Sequence, residues 1–62
     1  MTVKDVIAKL QNTQEIVIAY KGAIVYAGAV KEINSDIPAE AINSEITVIW
    51  YSPIYHAIIL EV

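Results

Sequence analysis

Two apolar segments set the outline of any fold this chain can adopt. The first runs from Ile16 to Val30 and the second from Ile46 to Leu60. Each is broken near its middle, the first by Lys21-Gly22 and the second by Ser52-Pro53. Both are rich in β-branched and aromatic residues, which suit a pleated, half-buried surface. A membrane helix needs about 20 consecutive apolar residues. The interrupted segments therefore read as two buried hairpins, with no membrane partner expected.

Size sharpens the constraint. The chain has 62 residues, of which 56% are hydrophobic, and no Cys. That predicts one domain over residues 1–62, near the lower limit for folding alone. Without Cys there is neither a disulfide staple nor a thiolate metal site. His56 alone cannot build a histidine metal site. An unusually apolar core or self-association remains as the means of stabilisation.

Val3, Val6, Ile7 and Leu10 recur at helical spacing and predict an N-terminal helix ended by Asn12-Thr13. Thr2 precedes that run and Asp5 follows three residues later, resembling a capping box with Asp in place of Glu. Glu15 to Tyr20 and Ala23 to Glu32 predict the first hairpin. A three-residue loop, Tyr20-Lys21-Gly22, would place Gly22 alone at positive φ as a bulge. One strand face would then carry Ile16, Ile18, Ile24, Tyr26 and Val30. Asn34-Ser35-Asp36 predicts a turn, and Pro38 suits the first position of a short helix ending at Asn43. The second hairpin joins Ile46–Tyr51 to Tyr55–Val62 around Ser52-Pro53-Ile54. Its register is less constrained, with Ile46, Val48, Trp50, Ile58, Leu60 and Val62 expected on one face.

The expected architecture is α+β in the order αββαββ. It is a four-stranded, mainly antiparallel sheet with the N-terminal helix packed on one face. In such a fold the other sheet face normally alternates polar residues toward water. Here that face would present Val17, Ala19, Val25, Ala27, Ala29, Thr47, Ile49, Tyr51, Ala57 and Ile59, with Lys31 and Glu61 at its ends. Such a patch reaches or exceeds what a monomer usually exposes. Small residues on it would let a second sheet approach closely. The expected interface is Val17, Ala19, Val25, Ala27, Ala29, Ile49, Tyr51 and Ile59, and the expected partner is a second copy, with a dimer favoured. The alternative is that the short helix folds over this face or the sheet curls onto itself.

Chemistry-bearing residues are sparse. His56 lies beside Tyr55 with no convergent nucleophile or carboxylate, and reads as a packed or edge residue. Glu32, Asp36, Glu40 and Glu45 do not match a calcium loop and read as a solvated turn and helix. The aromatics Tyr20, Tyr26, Trp50, Tyr51 and Tyr55 could stack nucleic-acid bases. That mode needs a basic surface, whereas the chain has four Lys, no Arg and a net charge of -3. Neither Gly22 nor Gly28 opens a phosphate-binding helix. No catalytic set, cofactor site or metal site is expected, nor is a nucleic-acid partner.

Met1-Thr2-Val3-Lys4-Asp5-Val6-Ile7, Gly22, Val25-Tyr26-Ala27-Gly28, Lys31-Glu32-Ile33, Ile37-Pro38 with Asn43, and Ile58 to Val62 span most of the chain. In these words and in its element order it resembles small uncharacterised proteins of Gram-positive phages, prophages and mobile elements. The resemblance implies no known activity and transfers no site residue. The chain departs from that pattern at Ser52-Pro53, where an Asp/Asn-Gly turn is usual, and at Ala27 and Ala29, where polar residues are usual.

The reading is a non-enzymatic interaction module, self-associating through its outer sheet face. Its alternative is an acidic phage-type inhibitor that binds a host enzyme or a nucleic-acid-binding protein. The N-terminus lacks a basic region followed by an apolar run, so a cytoplasmic location is expected.

Overall fold

The first helix starts where its cap residues put it. The computed structural model describes residues 1–33 and 37–62. Helix α1 is Val3–Ile7, shorter than its apolar periodicity allows, and turns carry the chain on to Leu10. Thr2 and Asp5 form the reciprocal capping box: the Asp5 N–H donates to Thr2 Oγ1 at 3.2 Å, and the Thr2 N–H donates to Asp5 Oδ2 at 3.0 Å. The Thr2 N–H, and after it the Thr2 hydroxyl, hold the Asp5 carboxyl below its usual pKa of 3.8. The contribution to stability is present above the unfolded-state pKa and is lost as pH falls through the lower folded value. Chemical denaturation below pH ~4 should therefore show falling stability, with a shallower acid limb in Asp5→Asn.

Strands β1 (Glu15–Tyr20) and β2 (Ala23–Ala29) form the first hairpin, followed by a 3-10 turn at Val30–Glu32. Helix α2 is Ala39–Asn43, with Pro38 one position before it as N-cap. Strands β3 (Val48–Ser52) and β4 (Ala57–Glu61) form the second hairpin. The expected turn at Asn34-Ser35-Asp36 lies outside the described residues.

The four strands are ordered β2-β1-β4-β3. Both hairpins are antiparallel, and the central pair, β1 with β4, is parallel. Beyond β4 the Val62 N–H donates to the Ala19 carbonyl at 2.9 Å, which extends the parallel ladder. Paired residues share a sheet face. Ile16 and Ile18 of β1 pair with Ile58 and Leu60 of β4 and point to the helix side. There they join Val3, Val6, Val30, Ile37 and Ala41 in one buried cluster. Both helices therefore cover the same face. The short helix does not fold over the opposite one.

Two turns differ from expectation, and each reassigns side chains. Lys21 has φ 52° and Gly22 has φ 81°, the pattern of a two-residue type I′ turn, and Tyr20 pairs directly with Ala23. The extra residue sits inside the strand instead, where the register shifts between Ile18 and Ala19. Ile24 pairs with Ala19 and turns outward, while Val25 packs against the core. In the second hairpin the loop has four residues, Pro53 to His56, because Ser52 pairs with Ala57. A change of one loop residue exchanges the two strand faces. Ile49 and Tyr51 therefore share the helix side with Leu60 and Ile58, and Val48 and Trp50 face outward.

Gly28 has a structural task. Its φ is 154°, and a Cβ there would lie 3.1 Å from the Tyr26 hydroxyl. That hydroxyl donates to the Ala29 carbonyl at 2.5 Å, so the bare backbone of Gly28 lets Tyr26 lie across it. Burial raises the Tyr26 pKa above its ordinary value, with Glu32 and Glu15 adding in the same direction. Gly28→Ala is expected to cost about 1–3 kcal/mol from combined backbone and contact strain. Gly22→Ala meets open space, so it carries the backbone penalty alone. Urea midpoints of the two variants measure the difference.

Candidate functional site

Four of the expected interface residues come together on the outer sheet face. Val17 and Ala19 lie on β1, Ala27 on β2 and Ile59 on β4. With Ile24, Tyr55 and Glu61 they line an open groove of about 490 Å³. The arrangement follows from the pairing. Val17 is flanked by Ala27 on one side and Ile59 on the other, and Ala19 is flanked by Ile24 and Glu61. Ala19 lies low between Ile24 and Glu61, and Ala27 lies low beside Val17, which opens the groove.

The other four take different places. Val25 is the residue displaced by the bulge and packs against the core. Ala29 is buried at the end of β2. Ile49 and Tyr51 are exposed, but on the helix side of the sheet. Of the remaining residues expected on this face, Ala57 is buried, and Thr47 precedes β3, donating from Oγ1 to the Glu61 carbonyl at 3.0 Å.

Four residues were not expected on this surface, one of them Val48, which turns outward with Trp50. Ile24 is 70% exposed because the bulge turns it out of the core. Trp50 pairs with Ile59, so it borders the groove, and it is 48% exposed. Tyr55 comes from the second hairpin loop, whose chain is held back by the Tyr55 N–H donating to buried Ser52 Oγ at 3.3 Å. Tyr55 also lines a smaller adjoining groove of about 250 Å³ with Ala57 and Gly28. Only the turn chemistry could have signalled Ile24 and Trp50. A type I′ turn at Lys21-Gly22 followed by an internal bulge selects Ile24, and a four-residue loop at Pro53–His56 selects Trp50.

The polar residues do not converge on the groove. His56 is exposed at φ 52°, and its Nδ1 lies 3.4 Å from the Tyr51 hydroxyl. Glu40 accepts from the Tyr20 hydroxyl at 3.1 Å, and Glu45 pairs with the N-terminal amine. Among the described residues no three His, Cys, Asp or Glu side chains gather as metal ligands. No helix among them is long and apolar enough to cross a membrane. The groove can bury apolar surface, and only Glu61 brings a charge to its wall.

The chain matches no protein-family model, no curated protein and no solved structure.

Proposed function

We propose that this protein is a non-enzymatic interaction module whose outer sheet face is covered by a second copy of the chain. The observation that carries the reading is the apolar groove across β2, β1 and β4, left bare because both helices pack on the opposite face. A sheet with one solvated face normally places polar residues there. Val17, Ala19, Ala27 and Ile59 occupy those positions instead.

The choice of occupant follows from shape and charge. Ala19 on the central strand β1 and Ala27 on the edge strand β2 leave this side of the face low enough for another sheet to approach to about 10 Å. The protruding Ile24 of one copy has the apolar character that the partner's groove accepts. The chain carries a net charge of -3, so two copies repel at long range. Their contact is favoured where the surface is uncharged, which describes the middle of this face. A basic partner would be held better by a cluster of carboxylates, and Glu61 alone lines the larger groove.

Trp50 is the single tryptophan and borders the face, so it reports on the contact. Its emission is expected to be blue-shifted in concentrated protein and to move to the red on dilution. Emission fixed at the value of a solvated indole over the whole range would count against the reading.

A further inference from the structure

We propose that β3 is a second contact surface, at which the β3 strands of two copies pair antiparallel and join their sheets edge to edge. The pairing rests on the self-association reading above and names a contact which that reading does not contain.

Among the described residues β3 is an edge strand, next to β4 alone. Four successive residues, Val48, Ile49, Trp50 and Tyr51, are 43%, 55%, 48% and 53% exposed. Side chains alternate between faces, so the strand is bare on both. Natural edge strands are guarded by Lys, Pro, bulges or strong twist. The other edge, β2, has such a guard in its bulge. β3 reads Val-Ile-Trp-Tyr-Ser, in regular register with β4, and has none of them.

The occupant is argued from charge, pairing and area. β3 carries no charge, so two acidic chains meet there without opposed carboxylates. Antiparallel pairing about Trp50 sets Ile49 opposite the partner's Tyr51 and Val48 opposite the partner's Ser52. Aromatic against β-branched pairs are among the favourable cross-strand combinations. One outer face of four strands, about 4.8 Å apart and about 16 Å long, covers roughly 300 Å². A stable interface takes about 800 Å² per partner. Joining two sheets at β3 doubles the continuous outer face, which brings face-to-face stacking much nearer that size.

Cysteine cross-linking tests the register, since the chain has no Cys of its own. Ile49→Cys and Tyr51→Cys chains are mixed in equal amounts and mildly oxidised. Directly opposed Cβ atoms in such a pair lie about 4.5–5.5 Å apart, against about 7–8 Å for the diagonal neighbours that each variant would offer alone. The mixed disulfide is expected to outnumber both homodimers together severalfold. Random collision gives the two classes equally, and that result would overturn the pairing. Hydrogen exchange on the unmodified chain guards against a folding defect in the variants. The amides of residues 48–52 that point away from β4 should exchange more slowly in concentrated than in dilute protein, and equal rates at them would also overturn it. An associating chain without the mixed disulfide leaves the face contact standing alone. A mixed disulfide in a chain whose mass is unmoved by Ala27→Glu leaves the edge standing and the face reading refuted.

Discussion

Ile18→Ala is expected to remove about 2–5 kcal/mol of folding stability. Ile18 is fully buried in the central strand, between Tyr26 of β2 and Leu60 of β4. Its side chain faces the helices, where Val3, Val6 and Ala41 belong to the same cluster. Truncation would leave a cavity that these elements can close only in part. A chain of 62 residues has on the order of 3–9 kcal/mol in total. One such change therefore consumes a large share of it. Ile24→Ala is the matched control, because the same residue type is 70% exposed there. In dilute protein that variant should stay within about 0.5 kcal/mol of the parent. Urea midpoints check both, and similar losses at the two sites would contradict the assignment of faces.

Ala27→Glu is expected to abolish the face-to-face contact without unfolding the chain. Ala27 is exposed on β2 and lines both grooves of the outer face. In a stacked pair its side chain would be enclosed between sheets, where an unpaired carboxylate is strongly disfavoured. In a single chain the same carboxylate stands in water at little cost. Size-exclusion chromatography with mass detection should show the parent eluting as the larger species and the variant at a lower mass, no larger than an edge-paired dimer. Circular dichroism should be the same for both. A variant that keeps the parent's mass would show that the contact lies elsewhere.

Much of the architecture was legible because periodicity and caps agree with the tertiary fold. Thr2 and Asp5 marked the start of α1, the interruption at Lys21-Gly22 located the first turn, and Pro38 marked the start of α2. Ile16, Ile18 and Leu60 were assigned to the buried face because large residues separate from alanines along the strands. The failures have one origin, the number of residues in each turn. Lys21 adopts a positive φ that its residue type does not announce, so the turn closes in two residues and the bulge moves inward to Val25. His56 does the same in the second loop, adding the residue that exchanges the faces of β3. Side-chain period in a strand is two, so each single-residue difference moved isoleucines and aromatics to the opposite side.

The outer face was legible for a related reason. Val17 and Ala19 on β1 and Ile59 on β4 keep the expected alternation, and at Ala27 the shorter turn and the added bulge residue cancel, which restores the expected face. Ile49 and Tyr51 depend on the second loop and fell on the other side. Tyr55 could not be placed from pattern at all. Its position depends on a loop that folds back through one hydrogen bond to Ser52.

Light scattering of the unmodified chain over a tenfold or greater dilution tests the central claim most directly. A single chain has a mass of 6.8 kDa. The account predicts a mass of at least twice that value in concentrated protein, falling toward the single-chain value on dilution. A chain that stays at the single-chain mass throughout, folded and without aggregation, would contradict it.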